Sequence, residues 1–141
     1  MKTKTGVLFL VAGTLMFLAG PLMGQNTETI KEKKIVSTTV YEYFIEKGMD
    51  EPVVESIETF DNNGNTLEIK EFNSKGEVKL WQKYAYNEEG KVVEALYLNN
   101  RGKLESKEKT IYEDGLRIEK LYYNNKDKLV KRKVYEYEFR D

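Results

Sequence analysis

The sequence predicts an all-β protein: an antiparallel meander of about eight strands, laid side by side as an open, twisted single-layer sheet. Three observations carry this. The first is a turn that recurs with nearly one wording: Phe60-Asp-Asn-Asn-Gly64, Phe72-Asn-Ser-Lys-Gly76, Tyr86-Asn-Glu-Glu-Gly90, Leu98-Asn-Asn-Arg-Gly102, Tyr112-Glu-Asp-Gly115 and Tyr123-Asn-Asn-Lys-Asp127. The second is spacing. Gly64, Gly90 and Gly115 lie 26 and 25 residues apart, and Gly76, Gly102 and Asp127 repeat both intervals, so a double hairpin is the repeating unit. The third is what fills the gaps: short runs rich in Val, Ile, Tyr and Thr, with no sustained helical period.

Residues 1–24 read as a segment separate from this domain. Lys2 and Lys4 give a positive start, Gly6 to Met23 is apolar and free of charge, and Gly20-Pro21 precede the small residue Gly24. That is the layout of a secretory signal peptide, with cleavage between Gly24 and Gln25. The alternative is an uncleaved membrane anchor, since 18 apolar residues is the lower limit for a span. After cleavage no transmembrane span is expected. Residues 25–34 are polar and aperiodic and read as a flexible leader. The β-repeat domain is expected over 35–141, with strands near 35–46, 52–60, 66–72, 77–86, 91–98, 103–112, 116–123 and 128–139.

The turn wording has a mechanism. An Asp or Asn opening the loop bonds its own backbone two residues on. A glycine three residues later supplies the positive φ that a type I turn with a bulge requires. Asp127 stands in the glycine place of the last such turn, and Asp tolerates the left-handed region better than most residues. Loops this short join antiparallel neighbours, hence the meander.

Alternation along the strands assigns side chains to faces. Aligned on Gly76, Gly102 and Asp127, the three long strands place Val78, Leu104 and Leu129 together, then Leu80, Ser106 and Lys131, then Gln82, Glu108 and Lys133. Further on come Tyr84, Thr110 and Tyr135, and then Tyr86, Tyr112 and Tyr137. Such a face is apolar or aromatic at its ends and polar in its middle. The shorter strands carry Glu68, Glu94 and Glu119 in one matched column. These acids sit two strands apart, and basic residues on the strands between can pair with them. A sandwich needs one apolar face along every strand. The interrupted faces favour the open sheet; the alternative is a small eight-stranded barrel whose lumen would enclose charges, which is costly unless they pair. No face offers the lipid-compatible band of a membrane barrel.

Composition excludes several functions. Loss of Lys2 and Lys4 from 23 basic residues leaves 21 against 24 acidic, a net charge of −3. That gives no basic face for nucleic acid and no polybasic patch for anionic lipid. Cysteine and histidine are both absent. Thiol chemistry, the usual metal ligands, the usual general base and lipoprotein anchoring therefore drop out. No cofactor is implied. The acid pairs Glu88-Glu89 and Glu113-Asp114 sit in turns, where solvated carboxylates are expected, so an enzyme is not. Asp61-Asn-Asn-Gly64-Asn65 has oxygen ligands beside a glycine, but the glycine comes too early for a calcium loop, and turn chemistry explains it.

The chain resembles the YD-repeat (Rhs-type) family and related bacterial β-hairpin repeats over residues 60–139. Tyr86-Asn-Glu-Glu-Gly90-Lys-Val and Tyr112-Glu-Asp-Gly115-Leu carry the tyrosine–acidic–glycine wording, with Asn more often than Asp in second place. The resemblance implies a β-sheet scaffold at or outside the cell envelope, in the periplasm or at the cell surface. It transfers no catalytic residue.

The candidate binding residues are aromatic: Trp81, Tyr84, Tyr86, Tyr112, Tyr135 and Tyr137. As a flat stacking surface they would take a protein partner or a glycan, Tyr and Trp being over-represented in binding hot spots. They would equally serve as the sheet's own mortar through cross-strand pairs. The free sheet edges, strands 35–46 and 128–139, are a second expected contact through β-augmentation, against which their Lys and Glu content argues. The expected function is thus an exported, non-enzymatic binding or scaffold module; a carbohydrate-binding module is the alternative, or a small-ligand carrier if the sheet closes.

Overall fold

The structure, a computed structural model, describes residues 26–48 and 51–141. The expected signal peptide lies outside the described residues. Eight strands form one antiparallel sheet in chain order: β1 Ser37–Glu42, β2 Val53–Phe60, β3 Thr66–Phe72, β4 Val78–Tyr86, β5 Val92–Leu98, β6 Leu104–Glu113, β7 Leu116–Asn124 and β8 Leu129–Val134. Each strand is hydrogen-bonded only to its chain neighbours, and β1 is not paired with β8. The sheet is therefore open. The barrel alternative, and with it the enclosed carrier pocket, is corrected: Glu108, Lys131 and Lys133, which a lumen would have enclosed, remain partly or fully hydrated.

The turns form as their chemistry dictates. Asp61 Oδ1 accepts the N–H groups of Asn63 and Asn65, each at 2.8 Å. Asn73, Asn87, Asn99 and Asn124 each accept the same two N–H groups, two and four residues on, at 2.9–3.1 Å. The pairing register slips by one residue beside each of these turns, which is the bulge that the left-handed residue creates. Asp127 takes φ +58° in the glycine role, as expected. The Tyr112–Gly115 turn is of another kind. Glu113 pairs directly with Leu116 around Asp114 (φ +49°) and Gly115 (φ +77°), a two-residue loop with both φ positive.

Three segments differ from expectation. The polar 25–34 segment holds a helix, α1 Thr27–Glu32, capped by Asn26 Oδ1, which accepts the Thr29 N–H at 2.8 Å. Its only apolar residue, Ile30, is buried at 5% exposure. α1 rests on the first hairpin turn, where the bare Cα of Gly64 faces the Thr27 carbonyl; a Cβ there would run into that oxygen. β1 stops at Glu42, because a 3-10 turn, Ile45–Lys47, follows and Gly48 turns left-handed at φ +61°. β8 stops at Val134, opposite Glu119, where its partner strand bends into the hairpin with β6. The path still follows β7 beyond that point: the Tyr135 N–H reaches the Ile118 carbonyl at 3.0 Å.

Burial is thin. Ser56, Ile69, Gln82 and Ala95 are buried on one face, which the pairs Ser56–Glu71, Ile69–Gln82, Gln82–Tyr97 and Tyr84–Ala95 identify as common to them. Phe60 and Thr66 are buried at the α1 end. No described side chain is wholly enclosed. The opposite face carries the acid column, each member held by a base on the next strand: Glu68 with Lys83 at 3.8 Å, Glu94 with Lys109 at 3.6 Å, and Glu119 with Arg132. The pairing expected from the alternation of short and long strands is thus present, each exposed pair contributing about 0.2–1 kcal/mol.

Candidate functional site

The six aromatic candidates do not form one platform. Trp81 and Tyr84 are three residues apart on a regular stretch of β4, so they point to opposite faces. The Trp81 ring is already occupied. Its Nε1–H donates to Glu68 Oε1 at 2.6 Å, the Lys70 ammonium stands 3.8 Å over the ring, and a Cβ on Gly102 would lie 2.9 Å from its Cζ3.

Tyr84 and Tyr86 belong to the buried seam. The Tyr84 hydroxyl donates to Gln82 Oε1, and the Tyr86 hydroxyl donates to the Thr66 carbonyl at 2.7 Å. Burial, with Glu108 and Glu58 nearby, raises the Tyr84 pKa. Burial, then Tyr84, Asp61 and Glu58, push Tyr86 up to about 12. Both hydroxyls are thus engaged as hydrogen-bond donors within the sheet.

The other three candidates do come together, around Arg117 near the β8 edge. Tyr112 pairs with Arg117 across β6–β7. The guanidinium carbon lies 5.5 Å from the Tyr135 ring centre, and the Tyr137 hydroxyl donates to the Arg117 carbonyl at 2.6 Å. The Tyr137–Arg117 bond repeats the Tyr86–Thr66 bond two units further along the chain.

Two tyrosines on short strands escaped the sequence reading, Tyr97 and Tyr122. They lie on the same face as Tyr84, since Gln82 pairs with Tyr97 and Glu108 with Tyr122. Burial and the Glu108 carboxylate push Tyr97 up to about 12. Tyr122 sits among ammonium groups: Lys131 at 3.8 Å, Lys120 at 5.2 Å and Lys133 at 5.7 Å from its ring centre. Only Lys120 has a carboxylate there, Glu108 at 2.6 Å. Burial works against the charged Lys120, yet Glu108 holds its pKa above the ordinary value. The signal for both tyrosines was their shared place: each stands two residues before the turn asparagine, Asn99 or Asn124.

The sheet edges show the second feature. Every residue of β1 and of β8 is exposed. Of the thirteen exposed large apolar side chains among the described residues, ten lie on or beside these two strands, including Val40, Tyr41 and Tyr43 at one edge and Val130, Val134 and Phe139 at the other. An open groove of about 410 Å³ runs beside β8, lined by Ser106, Glu108, Tyr122, Asn124, Val130 and Lys131 among others.

Among the described residues no three carboxylates converge. Asp61 spends its carboxylate on its own loop. Burial raises its pKa, but the Asn65 amide and the N–H groups of Asn65, Asn63 and Gly64 outweigh that and lower it. The described residues include no helix long and apolar enough to cross a membrane. Compared with protein-family models and with curated proteins, the chain matches none.

Proposed function

We propose that this chain is a non-enzymatic binding module, exported to the cell envelope or beyond, that holds protein partners by its free sheet edges and the tyrosines beside them. One observation carries this reading: the exposed apolar residues concentrate on the two outer strands, where backbone N–H and C=O groups also lack a neighbouring strand among the described residues. An extended segment of a partner adds its backbone to such an edge and its side chains to the apolar positions. The Tyr112, Tyr135 and Tyr137 group around Arg117 flanks the β8 edge and extends the contact. Two further features support a binding rather than a catalytic role. The Tyr84 and Tyr86 hydroxyls are engaged as hydrogen-bond donors within the sheet, and a single-layer sheet offers no water-excluded chamber for chemistry. The export reading rests on the apolar start of the chain.

Capture from an envelope extract tests the proposal, using the full chain, a Val130→Glu/Val134→Glu edge variant and a Tyr112→Ser/Tyr137→Ser variant. The edge variant loses the captured proteins, and the tyrosine variant loses part of them. Both keep the wild-type circular dichroism, because these positions contribute little burial. Identical partner sets for all three overturn the reading. A glycan array read in parallel addresses Trp81, where binding abolished by Trp81→Ala would move the function to carbohydrate.

A further inference from the structure

We infer that one partner of these edges is a second copy of this chain, joined head to tail, with β8 of one molecule added to β1 of the next. This rests on the edge-binding reading above and names the occupant.

Strand number permits it. Eight antiparallel strands in chain order leave β1 and β8 running in opposite directions. A neighbour's β1 laid beside β8 therefore continues the antiparallel alternation with the same face of the sheet upward. The junction is heterologous and propagates, as open head-to-tail contacts do.

The repeat then sets the register. Thr39 pairs with Ile57 in β1–β2, as Glu68 pairs with Lys83 in β3–β4, and Ile57 and Lys83 are one 26-residue interval apart. Thr39 thus holds the place of Glu68, and of Glu94 one interval later; the β1–β2 ladder slips between Val40 and Tyr41, but the extra residue, Glu55, is on β2, so the count along β1 is kept. The β4–β5 pairs are Gln82–Tyr97, Lys83–Leu96 and Tyr84–Ala95. Carried to the β8–β1 junction, they become Lys133–Glu42, Val134–Tyr41 and Tyr135–Val40.

The side chains in that register complement one another. Within its own molecule Lys133 lies opposite Lys120, a like-charge pair that costs stability. Lys120 has Glu108, whereas Lys133 has no carboxylate partner among the described residues, and neither has Glu42 a basic one. The junction sets these two unpaired charges opposite each other. It also covers Val134 (59% exposed), Tyr41 (56%) and Val40 (40%) with one another's strands. By contrast, two β8 strands paired about Arg132 would set Lys131 against Lys133 on both sides of the contact.

Disulfide trapping tests the register. The chain has no cysteine, so introduced thiols are the only ones. Directly opposite residues alternate between hydrogen-bonded and closer non-hydrogen-bonded pairs, so one of the two adjacent pairs Val134–Tyr41 and Tyr135–Val40 has the geometry a disulfide needs. Full-length chains carrying Val134→Cys with Tyr41→Cys, or Tyr135→Cys with Val40→Cys, are oxidised and run on denaturing gels. One of the two double variants forms a ladder of multimers, severalfold above the same chain oxidised in urea. A mixture of the corresponding single variants forms only dimers, and each single variant alone forms none. Lys133→Glu and Glu42→Lys each abolish most of the ladder, and the two together in one chain restore it. That rescue also separates the edge junction from any clustering through the apolar start of the chain, which the charge swap would not touch. Absence of cross-links, self-linking of Tyr135→Cys alone, or a ladder indifferent to the charge reversals overturns the inference. If the ladder is absent while Val130→Glu/Val134→Glu still loses envelope proteins, the edge binds other chains and the proposed function stands without this partner.

Discussion

The inner strands and the two outer strands are written in one repeat, yet they differ in what covers them. On β2 to β5 the seam residues Ser56, Ile69, Gln82 and Ala95 are buried, although no second layer of described residues lies above them. On β1 and β8 every side chain is exposed, Val40 and Val134 included. Cover in this protein comes sideways. A side chain in the middle is flanked by the stems and rings of the strands to its left and right, whereas an outer strand has one flank only. The lesson is that a single-layer sheet leaves its ends open: wherever the repeat stops pairing, the residues that would have been mortar stay exposed.

The sharpest way to break this contrast is to remove one methyl-rich side chain from each region. Ile69 is 3% exposed and Val134 is 59% exposed. Ile69→Ala should cost about 2–4 kcal/mol by lost transfer energy and a poorly filled space, whereas Val134→Ala should cost less than about 0.5 kcal/mol. Urea midpoints measure both. Equal losses in dilute solution, where the inferred head-to-tail junction is apart, would mean that the segments around the edge cover it, whereas a Val134→Ala cost that grows with concentration would report that junction.

A second test contrasts two turns of the same wording. Gly64 and Gly76 have almost the same φ, +80° and +76°. A Cβ on Gly76 meets nothing, while one on Gly64 meets the α1 backbone at Thr27. Gly76→Ala should therefore cost about 1–2 kcal/mol, the left-handed penalty alone. Gly64→Ala should cost more, and it alone should expose the amides of 27–32 to hydrogen exchange as α1 lifts. If the two variants behave alike, α1 is not held by that turn.

How much of this was legible in the sequence follows from the same physics. The turns were, because an Asx side chain and a left-handed residue do their work within five residues; strand limits around them follow to within a residue from β2 to β7. The open sheet was also legible, since Gln82, Glu108 and Lys133 interrupt the face that a closed lumen would bury. α1 was not. Six residues with one apolar side chain, Ile30, gain their order from the contact of Thr27 with Gly64, 37 positions downstream. The aromatic platform failed because residue type had outrun geometry: the odd and even positions of Trp81 and Tyr84 already separate their faces. Tyr97 and Tyr122 were missed because the match of the short strands stops at the Glu68, Glu94 and Glu119 column and does not reach their far ends. The concentration of exposed apolar residues at the edges needed the pairing order itself.

The smallest effect concerns the seam's tyrosines and sharpens the contrast through pH. Burial first, and then neighbouring groups, push Tyr86 and Tyr97 up to about 12, whereas an unfolded chain releases such protons near about 10. The folded state thus keeps protons that the unfolded state has lost. Their contribution to stability is complete below about pH 10 and disappears as pH climbs from there through about 12, so alkali favours unfolding. Tyr86→Phe and Tyr97→Phe remove the ionising groups. Tyr86→Phe should also lower stability at pH 7 by about 1 kcal/mol through its lost hydrogen bond to the Thr66 carbonyl. Each should also make the alkaline loss shallower, the double variant most of all. Urea midpoints at pH 7, 9, 10 and 11 give the slope. A slope unchanged in the double variant would mean that water reaches these phenols freely, and that sideways cover in the middle of the sheet is weaker than the buried neighbours Gln82 and Ala95 imply.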